Sequence, residues 1–392
     1  NFPDDIFRDW VTANIAGGTT TLTQDKINTT TSIDVDHKHI ANLKGIEHFT
    51  ALTDLECGVN QLKSLDVSNN KALTYLYCSN NQLTSLNINN NTKLTKLLCS
   101  YNKNLTNLDV SKDTALTDLY CNFNQLTSLD VSNNTELRQL YCLSNKLTDL
   151  NVSNNTELRQ LYCSGNQLTS LDLSKNTSLN DCSVSPQTPS LIAAKNAAGN
   201  YVVDLKKNDP AIDLSKVSEL ASVNGTVNSA EGTITYTSLP DAKTADITYE
   251  YNTDNSAAGK MSVSATVKEG YGITYNANGA DSGSVPKEST LFPANETATV
   301  LGNTGNLVKT GYTFAGWNTE ANGSGTEYKA GSTFTITNDV TLYAEWTKKS
   351  SASDGGSSDT SDPNDLLPWA AAGVLSLLAI AALLRRKTST GK

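Results

Sequence analysis

A phrase that recurs with a period of about 21 constrains this chain more than any other feature. From Leu52 to Ser178 the sequence keeps returning to leucine, two residues, leucine, one residue, cysteine, two residues, asparagine. The phrase starts at Leu52, Leu73, Leu94, Leu116, Leu137 and Leu158. A fixed period of this size specifies a solenoid, in which each turn buries its apolar ridges only against its neighbours. Function in such a fold lies on a surface rather than in a pocket. The expectation therefore moves from catalysis toward recognition.

Each repeat carries two apolar ridges. In the second they are Leu73, Leu76 and Cys78, then Leu83, Leu86 and Ile88. Alternation in LTYLYC predicts a short strand. Asn81 falls where the chain must turn, and there its side-chain amide can satisfy backbone groups inside the bend. The same position gives Asn60, Asn81, Asn102, Asn124, Asn145 and Asn166. An atypical first coil runs through Ile33, Val35, Ile40, Leu43 and Ile46. The third repeat is longer than the rest by a single position, because Lys103 and Asn104 stand where other repeats have one residue. The last coil is partial: a full repeat length beyond Cys163 lies Val184, so Cys182 comes two places early, in the register of a leucine. Ahead of the coils, residues 1–30 read as a helical cap over the open apolar edge. Phe2, Ile6, Trp10 and Val11 are expected on one helical face, with Asp4 and Asp5 in the first turn.

Composition removes several function classes. With 392 residues, two to four domains are expected. The net charge of −10 offers no source for phosphate-backbone attraction, so no nucleic-acid partner is expected. The cysteines at 57, 78, 99, 121, 142, 163 and 182 follow the solenoid period and are odd in number. They read as buried small hydrophobes rather than a disulfide framework. His37, His39 and His48 lie near the start, away from most cysteines, so neither metal nor other cofactor is expected. No HExxH, GxSxG or phosphate loop occurs, and the chain is read as a non-enzyme. It does not begin with Met, and a removed or omitted leader is expected.

The repeat, with its phrase VSNNTELRQLYC at 131–142 and again at 152–163, is the leucine-rich-repeat pattern and resembles bacterial cell-surface proteins of the internalin-like group. FPDDIFRDW and IANLKGIEHFTAL resemble that group's N-terminal cap and entry, so the likeness covers about residues 1–184. Many relatives carry an acidic, calcium-loop-like stretch in the cap. Here the matching segment NIAGGTTTLTQDKI has no acidic residue in its first ten positions, and calcium is not carried over.

Beyond the solenoid (31–184), residues 185–268 contain the alternating runs YVVDL, GTITYTSL, ADITYEY and KMSVSATVK, which predict a small sandwich-like β-domain. Residues 269–347 contain GYTFAGWNT and LYAEW and resemble the Listeria–Bacteroides repeat. That family implies a β-grasp-like module, with Phe314, Trp317, Tyr343 and Trp346 in its core. Residues 348–365 form a Ser/Gly/Asp linker. Residues 366–384 are 19 uncharged, mostly apolar positions, enough at a helical rise for about 28 Å. They are read as a transmembrane helix, with Trp369 at one edge and the basic tail 385–392 on the cytoplasmic side. Related surface proteins often carry a Leu-Pro-x-Thr-Gly sortase signal here. This chain has Leu367-Pro368-Trp369-Ala370-Ala371, which favours a retained membrane anchor.

The fold class is therefore mainly β: a solenoid with a helical cap, two small β-domains and one membrane helix. In this fold the outward strand positions form the concave face. One column reads Glu56, Tyr77, Leu98, Tyr120, Tyr141, Tyr162, and its neighbour Asp54, Tyr75, Lys96, Asp118, Gln139, Gln160. Tyr101 and Phe123 follow two residues past a cysteine. The candidate ligand-binding residues are Tyr75, Tyr77, Lys96, Leu98, Tyr101, Tyr120, Phe123, Gln139, Tyr141, Gln160 and Tyr162, centred on 96–123. A tyrosine ladder also stabilises its own sheet, so binding stripe and scaffold both fit. A second column, Asp66, Asn87, Asp109, Asp130, Asn151 and Asp172, reads as turn-forming side chains. The expected protein sits on the bacterial surface with its N-terminal part outside. It binds a protein or carbohydrate on a host or neighbouring cell, or another envelope component. The alternative is a structural, envelope-organising protein.

Overall fold

The computed structural model describes residues 2–19 and 21–349. The membrane segment expected at 366–384, the basic tail and the linker from residue 350 onward lie outside them. Among the described residues no helix is long and apolar enough to cross a membrane.

The cap has two helices, α1 (Asp5–Asn14) and α2 (Gln24–Thr29). Asp4 caps α1 by accepting from the Phe7 N–H at 3.0 Å. Its other oxygen accepts from the N–H groups of Ala41 and Asn42 at 2.9 and 3.1 Å, which ties the cap to the first coil. The buried face of α1 differs from the expected one. Phe7 and Val11 are buried, Trp10 is half-buried and Ile6 is 45 % exposed. Phe7 and Val11 are four residues apart and share one helical face; Ile6 lies a residue out of phase with Val11. Phe2 packs edge-on against Phe7 at 5.4 Å and lies over Gly45, where a Cβ would come within 2.3 Å of its ring.

Eight three-residue strands stack in parallel: Ser32–Asp34, Asp54–Glu56, Tyr75–Tyr77, Lys96–Leu98, Asp118–Tyr120, Gln139–Tyr141, Gln160–Tyr162 and Asp181–Ser183. In most of them the central residue is buried and its flanks are half-buried, as alternation demands. The leucines of the first ridge and the first six cysteines are fully buried, Leu86 of the second ridge is half-buried, and all seven thiols are free. Burial pushes these six thiols far above the ordinary range, so they stay neutral. Cys182 pairs with Leu161, the leucine register its spacing predicts, and Val184 is buried in the cysteine position.

The asparagine ladder forms as expected. The Asn145 amide, for example, donates to the carbonyls of Cys121 and Cys142 at 3.0 Å each, while its oxygen accepts from Leu126 N–H at 3.0 Å. In the longer third coil Lys103 and Asn104 are exposed, and strand register is kept. Asn124 then accepts from Asn102 N–H at 2.7 Å instead of from a leucine. The second column also behaves as expected: Asp66, Asn87, Asp109, Asp130, Asn151 and Asp172 each accept from the backbone N–H two residues on.

The apolar core runs on past residue 184 into an eight-stranded sheet. The long strand Lys260–Tyr271 organises it, pairing antiparallel with Ile247–Asn252 through its first half and parallel with Ser190–Lys195 through its second. Gln187 extends the asparagine ladder into this sheet. Its amide donates to Cys163 and Val184 carbonyls at 3.0 and 2.7 Å. Tyr249 hydroxyl donates to Thr169 carbonyl at 2.8 Å, and Thr169 and Ser170 hydroxyls both bind Asp209. The end of the solenoid is thereby covered.

A separate core surrounds Trp317, which is fully buried and donates its indole N–H to Leu301 carbonyl at 2.9 Å. Its strands run in the order Ile273–Asn276, Val340–Lys348, Tyr312–Asn318, Glu327–Tyr328, the first pair parallel. Phe314 and Trp346 pack against this core. Tyr343, expected among them, is half-buried outside the cluster, because its neighbours Leu342 and Ala344 take the inward positions of that strand.

Candidate functional site

Strand register turns the sequence columns into physical ones. Asp54, Tyr75, Lys96, Asp118, Gln139 and Gln160 lie side by side across the sheet. So do Glu56, Tyr77, Leu98, Tyr120, Tyr141 and Tyr162. Asp181 and Ser183 extend the two columns at one end, and Asp34 extends the second at the other. All eleven candidate residues except Tyr101 and Phe123 are half-buried; those two are 44 % and 38 % exposed.

The tyrosines divide into two groups. Tyr120, Tyr141 and Tyr162 stack with centroids 4.5 Å apart and interplanar angles of 16° and 9°. Each hydroxyl donates one coil onward: Tyr120 to Gln139, Tyr141 to Gln160 at 3.1 Å, and Tyr162 to Asp181 at 2.6 Å. Gln160 also donates to Asp181 at 3.1 Å. The Asp181 hydrogen bond, with burial, pushes the Tyr162 phenol up to about 12. Tyr77 is cut off from this stack by Leu98 and lies over Gly58, where a Cβ would come within 2.4 Å of the ring. Lys96 bridges the gap, its ammonium 5.9 Å from the Tyr120 ring centre.

Tyr101 and Phe123 form a second stack, centroids 4.5 Å apart and 15° from parallel. Both have left-handed backbones, with φ of 59° and 56°. The position recurs from coil to coil, filled elsewhere by His37, Val59, Asn80, Ser144 and Gly165. The coil therefore requires the left-handed turn but not an aromatic side chain there. Bulky residues at such φ are uncommon and cost energy.

Three features fall outside the sequence expectations. Asp181 ends the hydrogen-bond chain, and it stands one repeat length beyond Gln160, where counting would have found it. Arg138 and Arg159 replace the threonines of earlier coils and, with Thr117, Asp118, Gln139 and Gln160, line a groove of about 410 Å³ beside the tyrosine stack. At the opposite end the carboxylates of Asp34, Asp36 and Glu56 come within 4.8 Å of one another, a set that could hold a cation. Burial first, and then mutual repulsion, raises Asp36 and Glu56 above the usual carboxylate range. No periodic signal marks this trio, because it depends on how the irregular first coil pairs.

Comparison with known proteins matches residues 271–345 to the Listeria–Bacteroides repeat domain. A protein of Evansella cellulosilytica named as a Gly-rich membrane protein is 46 % identical over 77 residues, 19 % of this chain and 9 % of that protein. Internalin J of Listeria monocytogenes is 46 % identical over 70 residues, 18 % of this chain and 8 % of that protein. The matched stretches thus span about a tenth of the length of these curated relatives. Among solved structures, internalin C2 of Listeria monocytogenes is similar with a TM-score of 0.42 and 22 % identity, over 46 % of this chain and 83 % of that one. Residues 271–345 match the Listeria–Bacteroides repeat domain, and the chain resembles internalin-like leucine-rich-repeat proteins.

Proposed function

We propose that this chain is a bacterial surface protein that recognises a protein or glycan partner through the outward face of its strand sheet, without chemistry of its own. The supporting observation is the stacked, exposed pair Tyr101 and Phe123. Their shared position accepts valine, asparagine, serine and glycine in other coils, so the fold does not need aromatics there. An exposed aromatic pair held in a costly backbone conformation fits a contact surface. Residues 96–123 are its centre, with Gln139, Tyr141, Gln160 and Tyr162 as flank. The apolar stretch 366–384 serves in this reading as a membrane anchor with the solenoid outside. It predicts that detergent, rather than wall-digesting enzymes, releases the intact protein.

A second reading has its own observation. The Tyr120–Tyr141–Tyr162 stack satisfies its hydroxyls internally, as a scaffold would. In that reading the protein organises the envelope and the ladder only stiffens the sheet.

The test crosslinks the full chain to host-cell, glycan and envelope extracts, alongside two variants. One carries Tyr101→Ser and Phe123→Ser; the other carries serine at Tyr120, Tyr141 and Tyr162. Loss of capture by the first variant, with melting unchanged, supports the recognition face. Capture retained by both variants sinks it, and a retained set made only of envelope components favours the second reading.

A further inference from the structure

A second, unanticipated ladder runs through the solenoid, on the turn after the second ridge. Asn70, Asn91, Asn134, Asn155 and Asn176 are fully buried. Each side-chain nitrogen donates to two carbonyls of the coil before: Asn91 to Val67 and Asn70 at 3.1 and 2.8 Å, Asn134 to Val110 and Asp113 at 2.9 Å each. Each amide oxygen has no partner among the described residues. This ladder therefore uses its side chains as donors only.

In the longer third coil that position is Asp113. It is fully buried, and its backbone makes the ladder's turn, with Asp113 N–H to Val110 carbonyl and Leu116 N–H to Asp113 carbonyl both at 3.1 Å. Neither carboxyl oxygen has a hydrogen-bond partner among the described residues. By coil equivalence the side chain faces the carbonyls of Ile88 and Asn91, which are acceptors. An ionised carboxylate can only accept, so it has nothing to bind there and is repelled by what it meets. Only the protonated acid can donate as an asparagine does.

We propose that Asp113 is a proton-operated weak point of the solenoid: as the neutral acid it donates to the preceding coil and closes the layer, and on ionising it loosens the coil that carries Tyr101. The proposal does not depend on what the sheet face binds.

The surroundings agree. On its own coil Asp109 is exposed, and Ser111 holds it below the usual carboxylate range, so it stays a negative charge near Asp113. Lys112, next to Asp113, is exposed. The coil before brings Lys93 and the coil after Asp130 and Glu136, all exposed. Burial, with the Asp109 charge added, pushes Asp113 up to about 7. The folded chain thus holds this proton more tightly than the unfolded one. Its stabilisation is complete below about pH 4 and is lost as pH rises toward 7, then levels off. A rise from the ordinary 3.8 to about 7 corresponds to a change of up to about a thousandfold in the folding equilibrium.

The test measures denaturant unfolding of the full chain from pH 4 to 8.5, for wild type and Asp113→Asn, with a carbon-13 NMR titration of the Asp113 carboxyl. Asp113→Asn should be the more stable protein, with an advantage that grows toward pH 7 and then stays constant. The carboxyl should titrate near 7. An advantage that does not change with pH, or a carboxyl that titrates below 5, overturns the proposal.

Discussion

The two side-chain ladders of the solenoid look alike in sequence and differ in what they require. In the ladder Asn60–Asn166 each amide both donates and accepts. The Asn166 nitrogen reaches Cys142 and Cys163 carbonyls at 3.0 and 2.9 Å, and its oxygen holds Leu147 N–H at 3.0 Å. In the ladder Asn70–Asn176 each amide only donates, and to carbonyls that already hold a backbone N–H. Asn155, for example, donates to Val131 and Asn134, which also accept from Asn134 N–H and Leu137 N–H. The first ladder needs an amide at every rung, and its last rung, Gln187, keeps one. The second needs only a proton to give, and a carboxylic acid can stand in while it keeps its own.

The sharpest way to break this comparison is to truncate one rung of each. Asn145→Ala leaves Leu126 N–H without its buried acceptor and removes one of two side-chain donors from each of the Cys121 and Cys142 carbonyls, which keep Asn124 and Asn166. At roughly 1–3 kcal/mol for the orphaned N–H and about 0.5–1 kcal/mol for each lost bond, a loss of about 2–5 kcal/mol is expected. Asn155→Ala leaves two carbonyls that keep a backbone donor, and about 1–2 kcal/mol is expected. Urea unfolding of the full chain measures both; equal losses would end the distinction.

Next in size is a transplant. Asn91→Asp puts a second acid into the donor-only ladder, removing amide donors to Val67 and Asn70 carbonyls. Above neutrality this should cost about 2–4 kcal/mol, and near pH 4 much less, because the folded state retains the proton that the unfolded state releases. Unfolding at pH 4.5 and 8 tests the sign. A cost that is larger at the lower pH would show that an acid does not replace the amide here.

Much of this was legible in the sequence, for a physical reason. Leucine, cysteine and the first asparagine recur because burial and the strand turn select residue types, and types are what a sequence displays. The strand columns follow from counting, and the extra residue at Lys103 and Asn104 is absorbed outside the sheet as an exposed bulge. The second ladder has the same period, at 70, 91, 113, 134, 155 and 176, yet reads as loop. Its role depends on where backbone carbonyls point, which composition does not record. The cap face is ambiguous in the sequence because Ile6 and Phe7 are both apolar, and only docking onto the first coil selects Phe7. The carboxylates of Asp34, Asp36 and Glu56 meet only because Asp34 of the irregular first coil pairs with Glu56 of the next.

A smaller effect on stability separates the two aromatic stacks. Tyr101 and Phe123 are exposed and their stack lacks the hydroxyl relay of its neighbour, so replacing both with serine should lower stability by about 1 kcal/mol or less. Replacing Tyr120, Tyr141 and Tyr162 together removes three stacked rings and their hydroxyl bonds, and should cost about 2–4 kcal/mol. Thermal unfolding gives the order. If the exposed pair proves the more costly to lose, it belongs to the scaffold, and the case for recognition at residues 96–123 fails with it.

The smallest effect tests the relay alone. The Tyr162 hydroxyl donates to Asp181, and that bond exists only while the phenol keeps its proton. The bond therefore raises the Tyr162 titration from the ordinary 10 to about 12. Its stabilisation is present below pH 10 and disappears as pH rises toward 12. Asp181→Asn removes the anion while preserving an acceptor, so Tyr162 should ionise nearer its ordinary value. Tyr141, which Asp181 also raises through its charge, should follow by a smaller step. Ultraviolet titration of single-tyrosine differences between wild type and Asp181→Asn resolves these steps. A shift that is larger at Tyr162 than at Tyr141 shows that the inner stack is wired through Asp181; equal shifts of both would mean that the variant has altered the sheet rather than the relay.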